Sequence, residues 1–140
     1  MTMVNTIAVI LCAAALIYGG VVDYTRREIP DFVHIIMVFS RILIGFSVLY
    51  GIMCLVIPAV LLLAAAKISK SGLSGGDFKL LCGLGFACGL PELAAILFLA
   101  LAGAIICGAI QRKSISRGIP LCTYIAPAYI AVKALALLAA

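Results

Sequence analysis

The first charged side chain of the chain is Asp23, and everything before it is uncharged. That pattern repeats to the C-terminus. A polar island of Asp23, Arg26, Arg27, Glu28 and Asp31 gives way to residues 32–66, where His34 and Arg41 are the only exceptions apart from tyrosine and cysteine. A second island holds Lys67, Lys70, Asp77 and Lys79; from 80 to 111 only Glu92 interrupts. A third holds Arg112, Lys113 and Arg117, and beyond it Lys133 stands alone. Long apolar stretches between short charged islands are the pattern of helices that cross a bilayer. The composition agrees: 66% of residues are hydrophobic and 11% charged, against roughly half and a quarter in soluble domains. A chain of 140 residues is too small to hide that much apolar surface in its own core. A water-soluble enzyme, a disordered chain and a fibrous protein are excluded.

A bilayer core of about 30 Å takes roughly 20 helical residues. Spans are expected near 4–22, 32–49, 52–66, 77–90, 92–111 and 119–138. The fold class is therefore all-α, a polytopic membrane protein of about six transmembrane helices. Gly51 is expected to punctuate the second hairpin, and Pro91 and Pro120 suit first helical turns, where a missing N–H costs nothing. The N-terminus lacks the basic region of a secretory signal, so the first stretch reads as a retained span. Eight of the ten basic residues follow the first, third and fifth spans. The positive-inside rule places those loops in the cytoplasm and both termini outside, in the cell's inner membrane.

The fourth span is short, with thirteen residues between Asp77 and Pro91. Its small residues Gly83, Gly85, Ala87 and Gly89 would let another helix approach closely. The six cysteines lie within apolar stretches and form no CxxC pair, so buried thiols are expected rather than a disulfide scaffold or metal site. Basic residues are not interleaved with aromatics, which argues against nucleic-acid binding. No metal and no cofactor is called for.

Of the five carboxylates, two stand out by position. Asp23 ends the first span; Asp77 begins the fourth, after Ser74, Gly75 and Gly76. Both fall at cytoplasmic helix ends and meet if helices 1 and 4 pack together. Two carboxylates in contact at low dielectric share one proton. Such a pair can activate water as a base and protonate a leaving amine as an acid. Each also has a structural reading. Asp23 can balance Arg26 or Arg27, and Asp77 can serve a helix start. Gly75 and Gly76 permit unusual backbone geometry and close approach of a peptide.

The run Val22-Asp23-Tyr24-Thr25-Arg26-Arg27-Glu28-Ile29-Pro30-Asp31 resembles the first aspartate motif of the type IV prepilin peptidases. Ser74-Gly75-Gly76-Asp77-Phe78-Lys79-Leu80 resembles their second, Gly-x-Gly-Asp followed by Lys-Leu, with Ser74 in place of the usual first glycine. Gly85, Gly89 and Arg117-Gly118-Ile119-Pro120 also fit. The resemblance implies an intramembrane aspartic endopeptidase with Asp23 and Asp77 as its catalytic pair. It would remove the short basic leader from prepilins or pseudopilins at the cytoplasmic membrane face. It also implies the short form of Tad/Flp-like or Gram-positive systems: residues 1–140 as one transmembrane peptidase domain, without the methyltransferase or zinc-binding region of larger members.

Around that pair, Ser74, Gly75 and Gly76 are candidates for shaping the loop, and Glu28 and Asp31 for contacting a basic leader. For Asp31 a helix-start role competes with that one. Lys79 is read as holding a lipid phosphate or orienting substrate. His34 lacks a metal partner and suits a hydrogen-bonded or interfacial role. Arg41 is placed near the middle of helix 2, either functional or reaching for the outer face. Lys133 is expected to reach outward, and Glu92 to favour a helix start. Ser74 has no histidine or lysine arranged to activate it, which disfavours a serine protease. A small ion-coupled transporter and a non-catalytic subunit of a pilus or secretion complex are the competing functions.

Overall fold

A computed structural model describes residues 3–26, 28–45, 47–69, 75–111 and 121–138. Among them every regular element is helical: α1 (Met3–Arg26), α2 (Asp31–Ile44), α3 (Val48–Ser69), α4 (Gly75–Cys88), α5 (Leu90–Gln111) and α6 (Leu121–Leu138). Six helices are found where six apolar stretches are read. Three of them, Met3–Arg26, Leu90–Gly108 and Leu121–Leu138, are long and apolar enough to cross a membrane. The outer surface carries Ile10, Phe39, Phe98, Ile105 and Leu135, all exposed. A soluble monomer rarely shows so much contiguous apolar surface; a membrane-embedded protein does so by design.

Five helices close a ring. α1 packs on α2 and α6, α6 on α5, and α4 on α2 and α5, with a slighter contact from α4 across to α6. The core lies inside this ring. Leu16 comes from α1, Val33 and Met37 from α2, Leu80 and Leu84 from α4, Ile96 from α5, and Ile125 and Tyr129 from α6. α3 stands outside, with α4 as its main partner.

Glycine and proline explain how α3 docks. Pro58 inside α3 has no N–H for the carbonyl four residues back, that of Cys54. That oxygen points at Gly85 of α4, where an added Cβ would lie 2.6 Å from it. Only glycine can take the position. Gly89 faces the same helix, α3, and a Cβ added there would lie 3.0 Å from the Tyr50 hydroxyl. It has a second task as well. Its φ of 91° ends α4, its N–H donates to the Gly85 carbonyl at 2.8 Å, and it turns the chain into α5.

The second hairpin turns earlier than expected. α2 stops at Ile44 because Gly45 adopts φ 78° and its N–H bonds to the Ile42 carbonyl. Gly51 is instead buried inside α3. Arg41 is consequently in the last turn of α2, not its middle. There a cation suits the negative end of the helix dipole. Lys133 does not reach outward alone. It forms an ion pair with Glu92 between α6 and α5 and lies 5.8 Å from the centre of the Tyr129 ring.

Candidate active site

Asp23 falls in the last turn of α1 and is 6% exposed. What buries it is the start of α6. A carboxylate oxygen, Oδ2, accepts the backbone N–H of Cys122 at 3.0 Å. The first N–H groups of a helix have no intrahelical acceptor, so a carboxylate from a neighbouring helix fills that need and meets the positive end of the dipole. The approach depends on Gly20, one turn before Asp23. A Cβ there would lie 3.3 Å from both the Cys122 carbonyl oxygen and the Thr123 Cα. The Thr123 hydroxyl then donates to the Gly20 carbonyl at 2.9 Å. Below, Thr25 closes α1 by donating to the Val21 carbonyl at 3.0 Å.

Asp77 is half-buried in the first turn of α4. The charge of Asp23 is felt at Asp77, and Cys122 is within electrostatic reach of both carboxylates. The two acids thus share one end of the ring. The principal neighbours of α1 are α2 and α6 rather than α4. Cys122 of α6 lies beside Asp23, and α6 also touches α4.

Gly75 and Gly76 do not form a loop with unusual backbone angles. Both are helical residues of α4, and the glycines with positive φ are Gly45 and Gly89 among those described. Among the described residues nothing lies within 4 Å of a Cβ added at Gly75, and Gly76 makes ordinary contact with Ile29. Ser74 lies outside the described residues, as do Arg27, Lys70, Arg112, Lys113, Arg117 and Pro120.

Lys79 is paired with an acid of α2. Its Nζ meets Asp31 Oδ1 at 2.9 Å, an exposed ion pair that ties the start of α2 to the first turns of α4. The ammonium beside it holds the Asp31 carboxyl below the usual carboxylate range. Asp31 opens α2, as its helix-start reading requires, and Pro30 precedes it as the cap. Glu28 is exposed in the short α1–α2 connection. His34 is one turn into α2 and faces Gly83 of α4, and both its ring nitrogens are shielded without a hydrogen-bond partner among the described residues.

The Cys122 amide, Gly20 and Thr123 were not singled out by the sequence. The one available signal was the Gly19-Gly20 pair a turn before Asp23, which marks a close helix contact at the acid's own level.

A family model described as the type IV leader peptidase family matches residues 10–110. No curated protein and no solved structure matches the chain. The matched segment includes Asp23, Asp77, the Lys79–Asp31 pair and all of α2, α3 and α4.

Proposed function

The chain belongs to the type IV leader peptidase family, whose members are proteases with prepilin-type substrates, and from that premise we propose that it is an intramembrane aspartic endopeptidase working through Asp23 and Asp77. The observation that carries the reading is the presence of these two acids at one end of the ring, within each other's electrostatic field. The Cys122 N–H on Asp23 Oδ2 favours a charged carboxylate there, because a hydrogen bond donated to the ionised form stabilises it. Asp23 is then the base that takes a proton from water, and the shared proton resides on Asp77. Water attacks the scissile carbonyl, and Asp77 protonates the departing amine. The proton taken by Asp23 resets the pair. α4 has 14 residues, about 21 Å of helix, short of a full crossing, which gives water a route to the acids.

The substrate is a prepilin-like chain with a short basic leader and a following apolar helix, cut at the cytoplasmic face of the inner membrane. Glu28 offers the leader a negative charge near the site. Asp31 can join it only by exchanging Lys79 for a leader cation. The helical bundle sits in the membrane with both termini outside, lipids surround the apolar surface, and residues 1–140 act as one peptidase domain.

Co-expression with a prepilin-like substrate tests the proposal on a gel. Wild type shortens the substrate, while Asp23→Asn and Asp77→Asn leave it at full length. Shortening by either variant at the wild-type rate refutes the assignment.

A further inference from the structure

Beside Asp23, on the outer face of the ring, α1 and α6 leave a groove of about 370 Å³ between them. Ile17, Gly20, Val21 and Tyr24 of α1 line it, with Thr123 and Pro127 of α6 opposite. Resting on the peptidase reading above, we infer that this groove seats the first two turns of the substrate's apolar segment and so sets which peptide bond reaches Asp23.

Position is the first reason. Gly20 and Tyr24 bracket Asp23 along α1, and Thr123 follows the residue whose amide holds the Asp23 carboxylate. The groove therefore begins at the level of the acid. From there it runs toward Ile17 on α1 and Ile130 on α6. Thr123 to Ile130 is about 10 Å of helix, roughly two turns. A chain laid along it places its apolar part between apolar walls and its polar leader at the Asp23 end.

Chemistry is the second. Among the described residues no charged side chain lines the groove, so a charged leader gains nothing from them and an apolar helix does. The groove's walls are almost wholly apolar, so a polar leader is disfavoured along them. What favours a substrate segment over an acyl chain is that the groove starts beside Asp23, where the bond after the leader must lie to be cut.

Photo-crosslinking in liposomes tests the groove. The chain is purified with Asp77→Asn, so that a purified prepilin-like substrate is retained, and a photoreactive residue replaces Ile130 in the groove. In a control it replaces Phe98, which is exposed on α5. The expected result is capture of the substrate's first apolar turns from position 130 and not from 98. Capture of lipid alone, capture of a second copy alone, or equal capture from both positions overturns the inference. Val21→Trp in the otherwise wild-type chain fills the groove and should raise KM at least tenfold (~1.4 kcal/mol). Phe98→Trp should leave KM unchanged. An unaltered KM for a folded Val21→Trp chain also overturns the inference. Cleavage by wild type without capture from position 130 refutes the groove and leaves the peptidase reading intact. Capture without cleavage does the reverse.

Discussion

Gly20→Ala tests whether the start of α6 holds Asp23 in a working position. The added methyl would lie 3.3 Å from the Cys122 carbonyl oxygen and 3.3 Å from the Thr123 Cα. Both are backbone atoms and cannot rotate away. Carbon–carbon contacts relax to about 3.5–4.0 Å, so α6 must recede by roughly 0.3 Å. The Cys122 N–H to Asp23 Oδ2 hydrogen bond, now 3.0 Å, then stretches to ~3.3 Å, beyond the good range. A hydrogen bond to a charged group contributes about 1.5–3 kcal/mol. Losing about half of that removes ~0.8–1.5 kcal/mol, a roughly four- to twelvefold fall in rate. Stability moves less, because alanine's helix propensity exceeds that of glycine by ~1 kcal/mol and offsets much of the strain. Gly19→Ala is the internal control. Its methyl would meet the Cys122 Sγ and Val33 Cγ2, both at 3.3 Å, and these side chains can turn. Its rate should fall by no more than about threefold. The assay is single-turnover cleavage of a purified prepilin-like substrate in liposomes, with thermal melts followed by circular dichroism. A folded Gly20→Ala chain that cuts as fast as wild type refutes the argument, and so does a larger loss for Gly19→Ala.

Three further outcomes are expected. Glu92→Gln strands the Lys133 ammonium among apolar neighbours and should lower stability by about 1–3 kcal/mol, reduced from the fully buried case by partial exposure; Glu92→Gln with Lys133→Met should recover most of it in the same melts. Gly85→Ala drives a methyl into the Cys54 carbonyl oxygen and should cost about 2–3 kcal/mol, the upper range for overpacking, read as a lower melting temperature. Asp31 has its folded-state pKa depressed by Lys79, so its contribution to stability is present above the ordinary carboxylate range and is lost as pH falls through the depressed folded value; Asp31→Asn should remove that acid-side dependence, which melts across an acid series would record.

Much of this architecture can be read from charge spacing, because a charge inside lipid is so costly that islands of charge mark helix ends. Six helices and the shortness of α4 follow once span length, Gly51 and Pro91 are added. The end of α2 does not. Residues 42–50 are uncharged and, but for Ser47, mostly apolar, so hydropathy has no clear break to register, and a single φ of 78° at Gly45 decides it. Asp23 and Asp77 could be singled out because carboxylates are few, and their motifs resemble a family that residues 10–110 match. The grip on Asp23 could not. Its partner is a backbone N–H, which carries no residue signature, 99 positions away in sequence. Glu92 and Lys133 were legible in principle. One opens α5 and the other lies late in α6, and antiparallel neighbours bring such positions together. Gly75 and Gly76 show the opposite error: their composition suggests a loop, yet the first turn of α4 absorbs them.

The central claim is that Asp23 and Asp77 act as one unit, and a double-variant cycle on the purified protein tests it most directly. Single-turnover cleavage is measured for wild type, Asp23→Asn, Asp77→Asn and the chain carrying both changes. Acid–base catalysis by a positioned group contributes about 10²–10⁴ in rate, and groups that act together are strongly non-additive. Each single variant should therefore lose at least about a hundredfold, and the double variant should be no slower than the slower single one. Losses that multiply, or a single variant that keeps the wild-type rate, would contradict the account.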